Sequence, residues 1–318
     1  MTRVLVTGAT GFVGSRLCQF LNEQSISVRG STRRPPHTHN QKIEYINIGD
    51  INNDTNWQDA LKNIDIVVHC AARVHIMNDI ADNPLEEFRK TNVEGTRQLA
   101  DQAAQHGVKR FIFLSSIKVN GESSSPNFPF KNSDRPHTED PYGQSKWEAE
   151  QALNAIAAKS NMEVCIIRPS LIYGPGVKAN FKRLQNLATK GWPVPFGSLN
   201  NLRSYVFIDN LCDCIKICLT HPQAANQTFL ISDGHDLSVR QLYEKLCFAQ
   251  GHKAKLINIP AKWMELIAKV LGKQDQVGRL TQYLQVDSTP LQSKLGWQPP
   301  VSVDQAIELS CSAPKKEA

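Results

Sequence analysis

A tyrosine and a lysine four residues apart, Tyr142 and Lys146 in Pro141-Tyr142-Gly143-Gln144-Ser145-Lys146, have the types and spacing to move a proton. Residues at i and i+4 share one face of a helix, so the phenol and the ammonium would stand side by side. A phenol titrates at about 10, and it serves as acid or base near neutrality only where positive charge stabilises the phenolate. Lys146 could supply that charge. An ordinary surface helix also contains such pairs, so the weight of this one depends on its surroundings. Phe111-Ile112-Phe113-Leu114 reads as a buried parallel strand that would deliver Ser115 and Ser116 to the carboxyl edge of a sheet, where ligands sit. There Ser116 could hydrogen-bond a substrate oxygen whose proton Tyr142 exchanges, while Ser115 reads as ordering the turn.

The first residues supply a place for a dinucleotide. The apolar run Arg3-Val4-Leu5-Val6-Thr7 breaks at Gly8-Ala9-Thr10-Gly11-Phe12-Val13-Gly14 into a helical pattern carrying Leu17, Phe20 and Leu21. In a strand-turn-helix of this kind Gly8 permits the tight turn and Gly11 lets a pyrophosphate reach the backbone. Gly14 lets helix and strand approach closely. After the second strand an NAD site would carry a carboxylate for the ribose hydroxyls, whereas this chain has Ser31-Thr32-Arg33-Arg34. Arg33 could pair with a 2′-phosphate, with Ser31 or Thr32 adding a hydroxyl, which favours NADP(H) and keeps NAD as the alternative. The bland reading of the two arginines is a solvated polar loop. Asp50-Ile51, after the next apolar segment, would bracket the adenine.

Strand-like runs at Arg3–Thr7, Val28–Ser31, Ile66–Cys70, Phe111–Leu114 and Val164–Arg168 alternate with helical stretches. That pattern predicts an α/β fold, a doubly wound parallel sheet of Rossmann type with a smaller C-terminal substrate-binding lobe. The chain should leave the sheet after Pro169 and return through a helix at Asn210–Leu219 and a strand at Thr228–Ile231. Residues 1–169 and 204–234 then form the dinucleotide domain, and 170–203 and 235–318 the sugar-binding lobe.

The glycine loop, Asp50-Ile51, His69-Cys70-Ala71-Ala72, Thr91-Asn92-Val93-Glu94-Gly95-Thr96, Leu114-Ser115-Ser116, Tyr142-Gly143-Gln144-Ser145-Lys146, Arg168-Pro169 and Tyr173-Gly174-Pro175-Gly176 occur in one order. In that order they resemble the extended short-chain dehydrogenases/reductases, within the nucleotide-sugar epimerase/dehydratase branch. The resemblance spans nearly the whole chain. It implies a catalytic triad of Ser116, Tyr142 and Lys146, with Asn92 in a structural or proton-relay role. It also implies cofactor contacts from Gly8, Thr10, Gly11, Phe12, Val13, Gly14, Ser31, Thr32, Arg33, Asp50, Ile51, Ala71, Ala72, Asn92, Tyr142 and Lys146. Substrate contacts would come from Ser116 and from Arg203, which lies in a segment resembling the one whose arginine pairs with a UDP-sugar diphosphate. A homodimer is the family's usual assembly.

Two departures narrow the chemistry. Relatives that remove water across carbons five and six of the sugar carry an acidic pair after the catalytic hydroxyl, and this chain has Ile117-Lys118 there. Reduction of a 4-keto sugar and 4-epimerisation remain. The run Ser115 to Gly121 is similar to that of enzymes reducing a UDP-4-keto-6-deoxy-N-acetylhexosamine in surface-polysaccharide synthesis, and Arg33-Arg34 tips the reading towards a reductase. A non-catalytic dinucleotide-sensing protein is a third reading, opposed by the intact triad. Leu171 and Ile172 stand where some relatives have a diphosphate-binding asparagine.

With 318 residues, 41% of them hydrophobic, the chain can bury one large core and a smaller lobe. Its net charge of +6 comes without a long basic run, which suits an anionic nucleotide ligand and not nucleic acid. No stretch is apolar enough to span a bilayer and no signal peptide is expected, so the cytoplasm is the expected compartment. The cysteines sit in core-like segments, His69 reads as a packed strand residue, and no metal site is expected. The segment Asn120–Asp140 reads either as a cover over substrate or as a surface connection. Ala261–Leu271 is amphipathic, most simply through packing of the small lobe, and the tail from Pro314 is expected to be disordered.

Overall fold

The computed structural model describes residues 2–34, 43–74, 83–270, 272 and 274–312; the tail from Pro314 lies outside them. Seven strands form one sheet: β1 (Arg3–Thr7), β2 (Ser27–Thr32), β3 (Glu44–Asn47), β4 (Ile66–His69), β5 (Arg110–Leu114), β6 (Glu163–Pro169) and β7 (Gln227–Ile231). All pairings are parallel, in the order β7-β6-β5-β4-β1-β2-β3. The winding reverses between β1 and β4, the place where such sheets open a crevice at their carboxyl ends. β3, which the sequence pattern did not resolve, is a short edge strand with exposed Glu44 and Asn47, so it shows neither an apolar run nor clean alternation.

Both faces of the sheet are covered, and the period of two along each strand sorts its residues between two cores. Val4, Val6, Val68, Ile112 and Ile167 pack with Leu17 and Leu21 of the Phe12–Glu23 helix and Leu211 and Ile215 of the Ile208–Thr220 helix. Leu5, Val67, Phe111, Phe113 and Ile166 face the other way, onto Leu99 and Ala103 of the Gly95–Gln105 helix and Ala149 and Leu153 of the Pro141–Ala157 helix. Six cysteines, Cys18, Cys165, Cys212, Cys214, Cys218 and Cys247, are buried as free thiols in the first core.

That first core continues through Tyr173 and Phe207 into the later helices, where Tyr243, Leu246 and Trp297 are also buried. An extended stretch at residues 283–287 knits the halves together. Ser204 donates its N–H to the Leu284 carbonyl (2.7 Å) and Leu284 donates to that of Leu202 (3.1 Å). On the other flank Ser124 N–H reaches the Tyr283 carbonyl (3.0 Å), Phe130 N–H that of Gln285 (2.8 Å), and Asp287 N–H that of Phe130 (2.8 Å). The connection after Ser116 is therefore stapled by backbone hydrogen bonds to the C-terminal part of the chain.

Gly8 adopts φ +65°, a left-handed conformation open to glycine, and a Cβ there would lie 2.9 Å from the Ala71 backbone. At Gly14 a Cβ would lie 2.2 Å from the Gly8 carbonyl oxygen, a backbone atom that cannot swing aside. Gly14→Ala should therefore destabilise the protein by about 1–3 kcal/mol or more through overpacking at the strand-helix junction. A thermal melt would show a lowered Tm, and an unchanged Tm would mean that the helix does not seat this closely.

Candidate active site

The glycine turn leaves the N-terminus of the Phe12–Glu23 helix open. Gly11 is its N-cap, no side chain caps the first turn, and no acidic residue occupies it. Unpaired N–H groups at a helix start, with the partial positive charge there, favour an anion. That open helix start fits a dinucleotide pyrophosphate, which Gly11, Phe12, Val13 and Gly14 would hold through backbone. Thr10 and Gly11 are exposed on that turn.

Behind the turn a hydrogen-bonded path leads to the Tyr142 helix. Ala71 donates its N–H to Thr7 Oγ1 (3.2 Å), which lies 2.6 Å from His69 Nδ1. On the ring's other side His69 Nε2 lies 3.0 Å from Thr96 Oγ1, and that hydroxyl donates to the Asn92 carbonyl (2.7 Å). Because Thr96 has given its proton to a carbonyl, Nε2 carries the imidazole proton and Nδ1 accepts from Thr7. The ring has no use for a second proton, and burial pushes its pKa down to about 3. His69 is the packed strand residue that the sequence suggested, stacked on Phe113 with centroids 5.8 Å apart.

Asn92 sits in a π-helical turn, Lys90–Glu94, between the Pro84–Arg89 and Gly95–Gln105 helices. Its Oδ1 accepts from Arg73 N–H (2.8 Å), and its Nδ2 donates to the Arg73 carbonyl (3.0 Å) and to Ser145 Oγ (2.9 Å). Ser145 in turn donates to the Tyr142 carbonyl (2.8 Å). The Asn92 amide joins the β4 loop to the helix. The π turn left no sequence signal.

The helix itself starts with a strong local signature. Asp140 Oδ1 accepts the Gly143 N–H (2.6 Å), Pro141 fills the first turn, and Lys118 forms an ion pair with Asp140. Gly143 has a packing duty, since a Cβ there would lie 2.8 Å from the Lys118 carbonyl. Its absence lets the helix press against the turn that carries Ser116. Ser116 Oγ accepts from Lys118 N–H (3.2 Å) and stands close enough to the Tyr142 phenol to ease its ionisation. Phe88 meets the Tyr142 ring edge-on at 6.0 Å.

Lys146 is 2% exposed, with Nζ 4.0 Å from the centre of the Phe113 ring. Burial drives its pKa down to about 7, against an upward pull from Glu150. The phenol is moved the other way, up to about 12, by burial and by the Asp140 carboxylate, with the Ser116 hydroxyl opposing. Burial thus works against the ionisation that Lys146 was expected to favour, and Tyr142 keeps its proton. Ser115 is turned away from the crevice, donating to Glu150 Oε1 (2.5 Å), which suits the ordering role expected of it.

At the ribose end of the crevice Arg33 is 76% exposed and its guanidinium lies 3.7 Å from Asp50. An exposed pair at that length is weak, so Arg33 remains free to engage a ligand. The hydroxyls expected beside it are not presented: Thr32 turns to the Ile46 carbonyl (3.5 Å), and Ser31 Oγ is buried with no partner. Both residues are still in the strand, since β2 pairs with β3 as far as Thr32, and their side chains stand on opposite faces of the sheet. Ile51 packs on Gly95, and Ala71 and Ala72 line the β4 end of the crevice. Arg203 is 6% exposed and donates through Nη1 to the carbonyls of Arg279 (2.8 Å) and Gln282 (3.0 Å), so that nitrogen secures the substrate-side lobe. A broad hollow at the amino ends of the strands holds Asp65, Lys109, Arg110 and Glu163, but these are paired with one another and converge on nothing.

Residues 4–232, most of the chain, match the NAD dependent epimerase/dehydratase family. The chain belongs to that family. The enzyme is 46% identical to a Vibrio cholerae UDP-glucose 4-epimerase over 98% of its own length and 94% of that protein. A second relative, 28% identical over 96% and 93% of the two chains, is the Escherichia coli O157:H7 N-acetyl-alpha-D-glucosaminyl-diphospho-ditrans,octacis-undecaprenol 4-epimerase. Among solved structures, MoeE5 in complex with UDP-glucuronic acid and NAD superposes with a TM-score of 0.77 at 26% identity, covering 97% of each chain. No helix among the enzyme's described residues is long and apolar enough to cross a membrane.

Asp140 both caps the helix and burdens the phenol, and one substitution separates these duties. Asp140→Asn keeps a capping oxygen but removes the anion, so the Tyr142 phenol should ionise at lower pH while Tm changes little. Ultraviolet difference titration, referenced to Tyr142→Phe, would measure this; an unmoved phenol would show that Asp140 does not act on it.

Proposed function

We propose that the enzyme is an NADP(H)-dependent 4-keto reductase, acting on a UDP-4-keto-6-deoxy-N-acetylhexosamine destined for surface polysaccharide. The observation that carries the reading is the gathering of Ser116, Tyr142 and the buried Lys146 beside the glycine turn, with the phenol kept in its proton-bearing form. Reduction of a ketone needs a proton donor, and this phenol is held in donor form. When bound, the nicotinamide supplies the hydride to carbon four. Ser116 hydrogen-bonds the carbonyl oxygen, and Tyr142 delivers the proton to it, leaving the alcohol. The Lys146 ammonium stabilises the phenolate left behind, and a proton taken up from solvent restores the phenol.

The residues after Ser116 support the same choice. Ile117 is buried among Leu230, Leu284 and Val286, and Lys118 is paired with Glu122 and Asp140. Neither can serve as the acid or base that elimination of water would need. Arg33, in place of a carboxylate, supports NADPH. The second reading is a UDP-hexose or UDP-N-acetylhexosamine 4-epimerase holding NAD, favoured by the 46% identity to a UDP-glucose 4-epimerase.

The two readings differ in mass balance. A reductase should oxidise NADPH when given UDP-4-keto-6-deoxy-N-acetylhexosamine and place deuterium from labelled cofactor at carbon four. An epimerase should interconvert UDP-glucose and UDP-galactose, or their N-acetylated forms, with no net cofactor consumed. Epimerisation without NADPH oxidation on the keto sugar would overturn the reductase reading.

The cofactor assignment has its own test. Arg33→Ala should weaken NADPH by about 1–3 kcal/mol, the worth of a charge-assisted hydrogen bond, and leave NADH nearly untouched. Fluorescence titration of both cofactors against both proteins would decide it, and equal weakening would remove Arg33 from the 2′-phosphate site.

A further inference from the structure

Beneath the proposed chemistry lies a buried ion pair that no proton or hydride step uses. Glu150 is 1% exposed and Arg168 3%. Glu150 stands one helical turn beyond Lys146 on the Pro141–Ala157 helix, and Arg168 comes from β6. Arg168 donates from Nε to Glu150 Oε1 (2.9 Å) and from Nη2 to Oε2 (2.5 Å), a bidentate fork. Its Nη1 donates to Asn120 Oδ1 (2.9 Å), and Ser115 Oγ donates to Glu150 Oε1 (2.5 Å). Asn120 is fixed in turn by donating to the Lys131 carbonyl (2.9 Å).

Buried ion pairs are often no more stabilising than well-packed apolar residues of like volume, so stability alone is a weak reason for this one. Its geometry does suggest a use. Ser115 and Asn120 flank the turn Ser116–Val119, and both converge on the Glu150–Arg168 pair. The helix that carries Tyr142 and Lys146 is thereby joined to both ends of the turn that carries Ser116.

The surroundings of Lys146 are otherwise poor in charge. From β5 it meets the Phe113 ring; from β4 and its end it faces His69, which is neutral, and Cys70, whose thiol burial pushes up to about 12. Tyr142 shares its helix face in protonated form, with Asp140 beyond it. Glu150 is the carboxylate that opposes the loss of the ammonium's charge.

We infer that Glu150 is a positioning residue: held by Arg168 and Ser115, its carboxylate locks the Ser116 turn against the Tyr142 helix and supplies the counter-charge of the Lys146 ammonium. The inference rests on the catalytic reading of Ser116, Tyr142 and Lys146 given above. Removing a negative charge beside a cation makes the cation easier to deprotonate. Activity that needs charged Lys146 would then fail at lower pH.

The test is the pH profile of kcat with UDP-4-keto-6-deoxy-N-acetylhexosamine and NADPH, or with UDP-glucose if that is the substrate turned over. In Glu150→Gln the alkaline limb should move down by about one pH unit or more. Glu150→Asp keeps the charge but shortens the reach, so the limb should stay near its wild-type pH while kcat falls several-fold. If Glu150→Gln fails to fold, Ser115→Ala removes one hydrogen bond and no charge, and should lower kcat at unchanged Tm and limb position. A folded Glu150→Gln with a wild-type profile, or an unfolded Glu150→Gln alongside Ser115→Ala with wild-type kcat, would overturn the inference. Tyr142→Phe separates the two levels: near-normal turnover there sinks the catalytic reading, whereas an inactive Tyr142→Phe with an unmoved Glu150→Gln profile sinks the role of Glu150 alone.

Discussion

Withdrawing a lysine ammonium from water is costly, and the carboxyl edge of the sheet is organised around one such group. Lys146 needs a π face, which Phe113 gives, and an opposing charge, which Glu150 gives. Glu150 is itself buried and so requires Arg168, and Arg168 requires acceptors for its remaining nitrogen, which Asn120 provides. One cation thus determines the polar content of β5, β6 and the turn between Ser116 and Asn120. The same dryness keeps the proton on Tyr142, so the electrostatic state of the crevice is set by exclusion of solvent more than by any single contact.

A second constraint runs at right angles to the first. Thr7, His69, Thr96 and Ser145 each have one donor role and one acceptor role along this path, and Asn92 joins them through its accepting carbonyl and a twice-donating amide nitrogen. Protonating His69 would place two donors against one acceptor set, which the depressed pKa already disfavours. The glycine turn and the Tyr142 helix are consequently registered to each other through side chains that meet no solvent. Close backbone approach does the rest, at Gly14 against Gly8 and at Gly143 against Lys118.

Much of this was legible in the sequence. The glycine turn, the Tyr142–Lys146 spacing and the strands flanking them are local patterns, and each appears within a residue or two of its expected place. What was not legible is whatever depends on partners far apart along the chain. Glu150 lies 18 residues from Arg168 and 35 from Ser115, and nothing local distinguishes it from any other helical glutamate. Asn92 was visible as a motif residue, but its partners Arg73 and Ser145 were not, so its role could not be told from a ligand contact. The opposed behaviour of Tyr142 and Lys146 escaped for a different reason. Spacing reports proximity, while the direction in which a proton equilibrium moves depends on burial, which is a property of the assembled core.

The extended stretch at residues 283–287 lies between Leu202–Ser204 and the connection that follows Ser116, bonded to both through main-chain atoms. Main-chain pairing of this kind is indifferent to side-chain identity but strict about register and loop length. Apart from Ser124 and Ser204, whose hydroxyls accept the Gln285 and Val286 N–H groups, exchange of single residues along these segments leaves the seam intact, whereas transplanting the C-terminal third from a relative would bring in an edge cut for a different connection. Diversification of sugar preference is therefore channelled into point substitution or into joint inheritance of both segments, and recombination breakpoints between residues 130 and 283 would be selected against.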